Sequence, residues 1–142
     1  PIGDMLTRLD LPLALGGDAE ALIEATVSDY DAAFGLCSLD FPGGQFTVAG
    51  DSLEIGSTVR LRVAARDVSI TLERQRGTSI LNIFPAIVDE VIEPGEGALV
   101  TIRLLVGSTP MLARITRKSA VGLQLESGRQ VFAQAKSVAV LT

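Results

Sequence analysis

Residues 37–48 read Cys-Ser-Leu-Asp-Phe-Pro-Gly-Gly-Gln-Phe-Thr-Val. Cys37, Leu39 and Phe41 alternate with Ser38 and Asp40, the period of two that sets one face of a strand on a core and the other in water. Pro42-Gly43-Gly44 then breaks the run with the residues a turn needs, and Phe46–Val48 starts a second strand. The same reading extends outward. Upstream, Ile23, Ala25 and Val27 alternate with Glu24 and Thr26. Downstream, a loop over Gly50–Gly56 leads to Val59, Leu61 and Val63, which alternate with Arg60 and Arg62. Val68, Ile70 and Leu72 continue the pattern, with Ser69, Thr71 and Glu73 facing outward.

Beyond a charged linker at Glu73–Gly77 the plan repeats. Ile87, Val91 and the Pro94–Gly97 turn lead to Val100, Ile102 and Leu104, and Gly107–Pro110 turns the chain into Met111, Ala113 and Ile115. One helical turn is expected at Ser119–Leu125, closed by Ser127-Gly128. Val131, Ala133 and Ala135, then Val138 and Val140, complete the set. Gly56–Val59 overlays Gly128–Val131 at an offset of 72, and Arg66–Val68 overlays Lys136–Val138 at an offset of 70. Five or so short strands per half, with frequent turns and one short helix, predict an all-β chain of two small Greek-key barrels of the oligonucleotide/oligosaccharide-binding (OB) kind in tandem. The expected divisions are a linker or short helix over 1–17, a first barrel over 18–77 and a second over 78–142. Residues 1–17 carry an apolar stripe of Met5, Leu6 and Leu9 that Pro12 would halt.

Composition limits the chemistry. Among 142 residues there is no His and a single Cys, which removes the commonest general base, the commonest zinc ligand and any intrachain disulfide. Cys37 alternates with apolar partners and has no basic neighbour, so a structural thiol is expected. No uncharged apolar run approaches a membrane span, no leader opens the chain, and its start at Pro1 suggests a piece of a longer, soluble polypeptide from a reducing compartment. Neither Lys118 nor Lys136 follows the Gly of a nucleotide-binding loop, so no ATP hydrolysis is expected of this chain alone. The net charge of −5 and a single Tyr, Tyr30, oppose a single-strand nucleic-acid module, the third function class that a small barrel allows.

Charge is divided unevenly. Residues 1–77 hold 12 acids and 6 bases, while residues 78–142 hold 5 acids and 6 bases, so an anion site belongs in the second half. Its hydroxyl and cationic candidates are Thr78 and Ser79, Thr116 and Ser119 around Arg117-Lys118, and Lys136-Ser137. A small oxyanion is acceptor-only and can be held by hydroxyls, backbone N–H groups and one ammonium without a metal. Each candidate also has a plainer reading: Ser119 as a helix N-cap, Lys136 as a solvated strand charge, Arg117-Lys118 as a solvated corner.

At Arg66-Asp67-Val68, Thr78–Asn82, Ala113–Thr116, Ser119, Leu123–Leu125 and Ala135–Val138 the chain resembles the carboxy-terminal accessory region of the ATPase subunit of bacterial molybdate importers, which are ATP-binding cassette transporters. The second half is similar to the Mop, or molybdate-binding, barrel, and the Arg66-Asp67-Val68 step to the accessory (TOBE) barrel of importer ATPases. The resemblance implies a ligand, molybdate or tungstate, held without a cofactor or metal. It places the Ser79 hydroxyl and Leu81 amide on one side of the anion, with Thr116, Ser119, Lys136 and Ser137 on the other, across a subunit boundary. Asn82 is implied to fix the loop. Where such barrels carry Ser-Ala-Arg-Asn, this chain has Ser79-Ile80-Leu81-Asn82, so a basic side chain is lost. The implied partners are a second copy, the ATPase domain of the same polypeptide and, through it, the membrane permease subunits, with no nucleic acid. The implied location is the cytoplasmic side of the inner membrane. A purely structural, dimerising role without ligand is the competing expectation.

Overall fold

Each alternating run becomes a strand in the computed structural model, which describes residues 19–93 and 97–141. The expected linker or helix over 1–17, and most of the Pro94–Gly97 turn, lie outside the described residues. The first half forms β1 (Glu20–Asp31), β2 (Leu36–Phe41), β3 (Gly44–Ala49), β4 (Thr58–Ala64), a 3-10 turn (Ala65–Asp67) and β5 (Val68–Thr71). The second forms β6 (Asn82–Ile92), β7 (Leu99–Val106), β8 (Thr109–Thr116), the six-residue helix α1 (Arg117–Gly122), β9 (Gln130–Ala135) and β10 (Ala139–Leu141).

The strands make two curled antiparallel sheets, ordered β10-β4-β1-β2-β3 and β5-β9-β6-β7-β8. The all-β reading and the paired barrel-like units of the OB type are therefore present. The outermost strands are exchanged: β5, from the first half, pairs with β9, and β10, from the second, pairs with β4. The repeat is visible in bond-level detail. β1 and β6 both slip register at a bulge, between Val27 and Asp29 and between Val88 and Glu90. Gly56 N–H donates to the Val27 carbonyl as Gly128 N–H donates to that of Val88.

One core runs through both sheets. Cys37, Leu39, Val59, Leu61, Val100, Ile102 and Leu104 all point into it, as the alternation requires. Phe41 and Phe46 from the first half meet Phe84 from the second, with ring centroids 4.8–5.3 Å apart. Three of the five phenylalanines are thus spent where the halves join, in tilted and edge-on contacts that add to the burial of each ring.

In β6 the inward residues are Asn82, Phe84, Ala86 and Val88, and Ile87 faces outward, in step with the regular alternation that precedes the bulge. Strands β7 and β8 are buried on both faces. Leu112 of β8 packs with Ala19 and Ala65 of the first half, and Arg103 of β7 is buried against Asp89, which it hydrogen-bonds. Burial lowers the pKa of that guanidinium below its ordinary value.

Candidate functional site

Lys136 and Ser137 lie in the short connection from β9 to the exchanged strand β10. Lys136 N–H donates to the Asp67 carbonyl at 2.8 Å, so the backbone here is fixed by the 3-10 turn of the other half. Both residues are exposed. With Asn82, Val138 and Val140 they line an open cavity of about 440 Å³ whose far wall is Thr47–Ala49 of β3.

Asn82 closes the floor. It is only 8% exposed, and its side-chain amide reads the backbone of Thr47 as a neighbouring strand would: Thr47 N–H donates to Oδ1 at 2.7 Å and Nδ2 donates to the Thr47 carbonyl at 3.1 Å. A buried amide left without partners would be costly, and these two bonds satisfy it while clamping the start of β6 to the edge of β3. Thr78 Oγ1 accepts from Ile80 N–H at 3.1 Å, a local turn that shapes the approach to Asn82. Ser79, at the centre of that turn, and Leu81, just after it, are exposed, Leu81 to 64%. Ser79, Leu81, Lys136 and Ser137 therefore belong to one end of the second half.

Thr116 and Ser119 belong to the other. Thr116 Oγ1 accepts from Ser119 N–H at 3.1 Å, and its hydroxyl donates to Ser119 Oγ at 2.9 Å. Thr116 is thus the N-cap and Ser119 the third helical residue, a correction to the expectation that Ser119 opens the turn. The shift arises because Arg117 N–H is already tied to the Ala98 carbonyl, so the helix starts where β8 ends. Thr116 pairs with Leu99 at the start of β7, whereas Asn82 begins β6, ten residues before Ile92 at that same end. That length of extended strand is on the order of 30 Å. Within one chain, the Thr116–Ser119 pair and the Lys136–Ser137 pair do not face each other. Beside α1 a larger open cavity, about 720 Å³, is lined by Glu93, Arg117, Val121, Glu126 and Arg129 among others.

The cavity wall at Thr47–Ala49 is a contribution that the linear sequence does not disclose. No local signal points to it, because β3 sits at the opposite edge of its sheet from β10 and the strand exchange that brings the β9–β10 connection to it leaves no mark in the alternation. Among the described residues, no group of three or more His, Cys, Asp or Glu side chains converges on a metal position, and no helix is long and apolar enough to cross a membrane.

Four likenesses to known proteins bear on this geometry. The TOBE domain family matches residues 78–142. The chain is 45% identical over 141 residues to the molybdenum import ATP-binding protein ModC of Thiobacillus denitrificans, covering 99% of this chain and 39% of that protein. It is 50% identical over 143 residues to the protein of the same name from Pseudomonas aeruginosa, covering 99% and 40%. It spans about two fifths of the length of these curated relatives. Among solved structures, the cytoplasmic molybdate-binding protein ModG, in a form with molybdate bound, superposes with a TM-score of 0.71 at 21% identity, covering 84% of this chain and 93% of that one. At that identity the likeness shows the fold. The chain therefore matches the C-terminal TOBE region of proteins named molybdenum import ATP-binding protein ModC, with the TOBE domain itself over residues 78–142.

Proposed function

We propose that this chain is the regulatory part of a molybdate importer ATPase: it binds molybdate or tungstate, and pairs two ATPase subunits. The observation that carries the reading is the grouping of Lys136, Ser137 and the clamped Asn82 around one cavity, with Ser79 in the adjoining turn and Leu81 just after it. A lone ammonium surrounded by hydroxyl and amide donors suits an acceptor-only dianion. The cavity is far larger than a four-oxygen anion and is open, so one chain does not enclose the ligand. Thr116 and Ser119, remote in their own chain, would complete the shell from a second copy, which makes a homodimer part of the reading.

In this reading the chain lies on the cytoplasmic face of the inner membrane, attached to the ATPase domain of the same polypeptide and, through it, to the permease subunits. Bound anion shifts the transporter by its higher affinity for one arrangement of the two ATPase domains, the arrangement in which they stand apart, so import falls when the cell is replete. The relatives named for molybdenum import and the fold shared with a molybdate-bound protein support it.

The test is calorimetric titration of the chain with molybdate, tungstate and sulfate, with Lys136→Ala beside the parent. Removing a charge-assisted contact of about 1.5–3 kcal/mol should weaken molybdate binding roughly 10- to 100-fold. Equal affinity of parent and variant removes Lys136 from the site. A second reading, a dimerising module without ligand, draws on Leu81: an apolar side chain stands exposed where a cation would serve an anion. Absence of heat with every oxyanion, together with a dimer in sedimentation, would favour it.

A further inference from the structure

The inference that follows rests on the oxyanion reading and concerns the half of the chain to which no ligand role has been given. The pairing registers superpose the halves position by position. Ala25 pairs with Val59 as Ala86 pairs with Val131; Phe41 pairs with Gly44 as Val106 pairs with Thr109; Ser69 pairs with Gln134 as Ala139 pairs with Arg62. Through these registers Leu81 corresponds to Glu20, Lys136 to Arg66, Ser137 to Asp67 and Thr116 to Asp51. The span from Asp51 to Gly56 is seven residues shorter than that from Thr116 to Gly128, and no helix occupies it, so Ser119 has no counterpart.

We infer that the first half excludes oxyanions, and that Glu20, Asp51 and Asp67 are the residues that make it do so, leaving the chain with sites on its second half alone. A carboxylate, like a tetrahedral oxyanion, only accepts hydrogen bonds, so Asp67 in the place of Ser137 converts a donor into a repelling charge. Arg66 retains the cation of Lys136. A second cation, Arg62, stands where the other half has Gln134, but its Nε lies 3.3 Å from Glu20 Oε2 and is engaged there. At the opposite end Asp51 replaces the capping threonine and the helical segment is missing, so the counterparts of the Thr116 and Ser119 hydroxyls are lost together. The carboxylates do not form a cation site in exchange: Asp51 is at the far end from Glu20 and Asp67, and no acidic cluster of metal-holding size occurs among the described residues. The excess of acids in residues 1–77 has the same sense.

Titration of the full chain with tungstate, combined with anomalous diffraction from crystals grown in tungstate, tests this directly. The expected result is one tungstate per chain, with tungsten beside Lys136 and none beside Arg66. Tungsten at both positions, or two equivalents per chain, overturns the inference and leaves the oxyanion reading standing. No binding at all overturns the oxyanion reading and withdraws the inference with it. A second arm transplants the exclusion: Ser137→Asp should weaken tungstate by about 100-fold or more and Ser137→Ala by roughly tenfold, consistent with losing one donor versus adding a repulsive charge. Thermal unfolding confirms that both variants are folded. A Ser137→Asp chain that binds within about threefold of the parent overturns the inference, since it would show that the carboxylate at this position is tolerated.

Discussion

Gly43 and Gly107 stand at the tips of the β2–β3 and β7–β8 hairpins, and the two tips touch. A Cβ on Gly43 would overlap the Val106 carbonyl oxygen, and one on Gly107, whose φ is +62°, would come within 3.0 Å of the Gly43 Cα. Backbone on both sides leaves nothing flexible to yield. Gly43→Ala should therefore destabilise the protein by about 1–3 kcal/mol, or more if the tips separate, read as a lower thermal midpoint. The Pro42-Gly43-Gly44 turn was legible in the sequence, since those residues announce a turn whatever lies beside it. The reason that Gly43 tolerates no side chain was not, because its neighbour is more than sixty residues away. Asn82 shows the same division. Its role in fixing the loop follows from the resemblance, while its partner, the Thr47 backbone, is set by how the second half rests on the edge of β3.

Helix α1 is short enough that its cap decides whether it forms. Six residues supply few internal hydrogen bonds, so the Thr116 side chain and the bond from Arg117 N–H to Ala98 fix its start. Thr116→Ala should cost about 1 kcal/mol, roughly 2–4 °C in the thermal midpoint for a chain of this size. Thr116→Ser should recover most of it, and an unchanged midpoint in Thr116→Ala would show that the cap contributes nothing. The sequence disclosed a helical turn here and placed its first residue two positions late, because Ser119 and Thr116 are equally good caps in isolation and only the end of β8 chooses between them. For the strands, alternation was a sound guide wherever one face meets water. It failed in β7 and β8, where Thr101, Arg103 and Leu112 are buried on the second face by neighbouring strands and by the 3-10 turn, contacts with no local sequence signature.

At the scale of the molecule the two halves share one core and trade their outermost strands. Unfolding should accordingly be a single cooperative transition, with coincident midpoints by circular dichroism and by hydrogen exchange in β4 and β9. Removing residues 136–142 should deprotect the amides of Arg60 and Arg62 in β4, although those residues lie in the first half; protection equal to that of the intact chain would show that β10 is dispensable. The offsets of 72 and 70 made the duplication legible. The exchange was not, because a swapped strand and a retained one have the same alternation and differ only in which sheet accepts them.

The bonding of β10 to β4 also sets a timetable. During synthesis the first sheet lacks its outer strand until β10 has cleared the ribosome, so the edge of β4 stays uncovered while β5 to β9 are being made. A ribosome stalled within β9 would hold a nascent chain with that edge bare, which makes chaperone occupancy at this stage a built-in cost of the interlocked architecture.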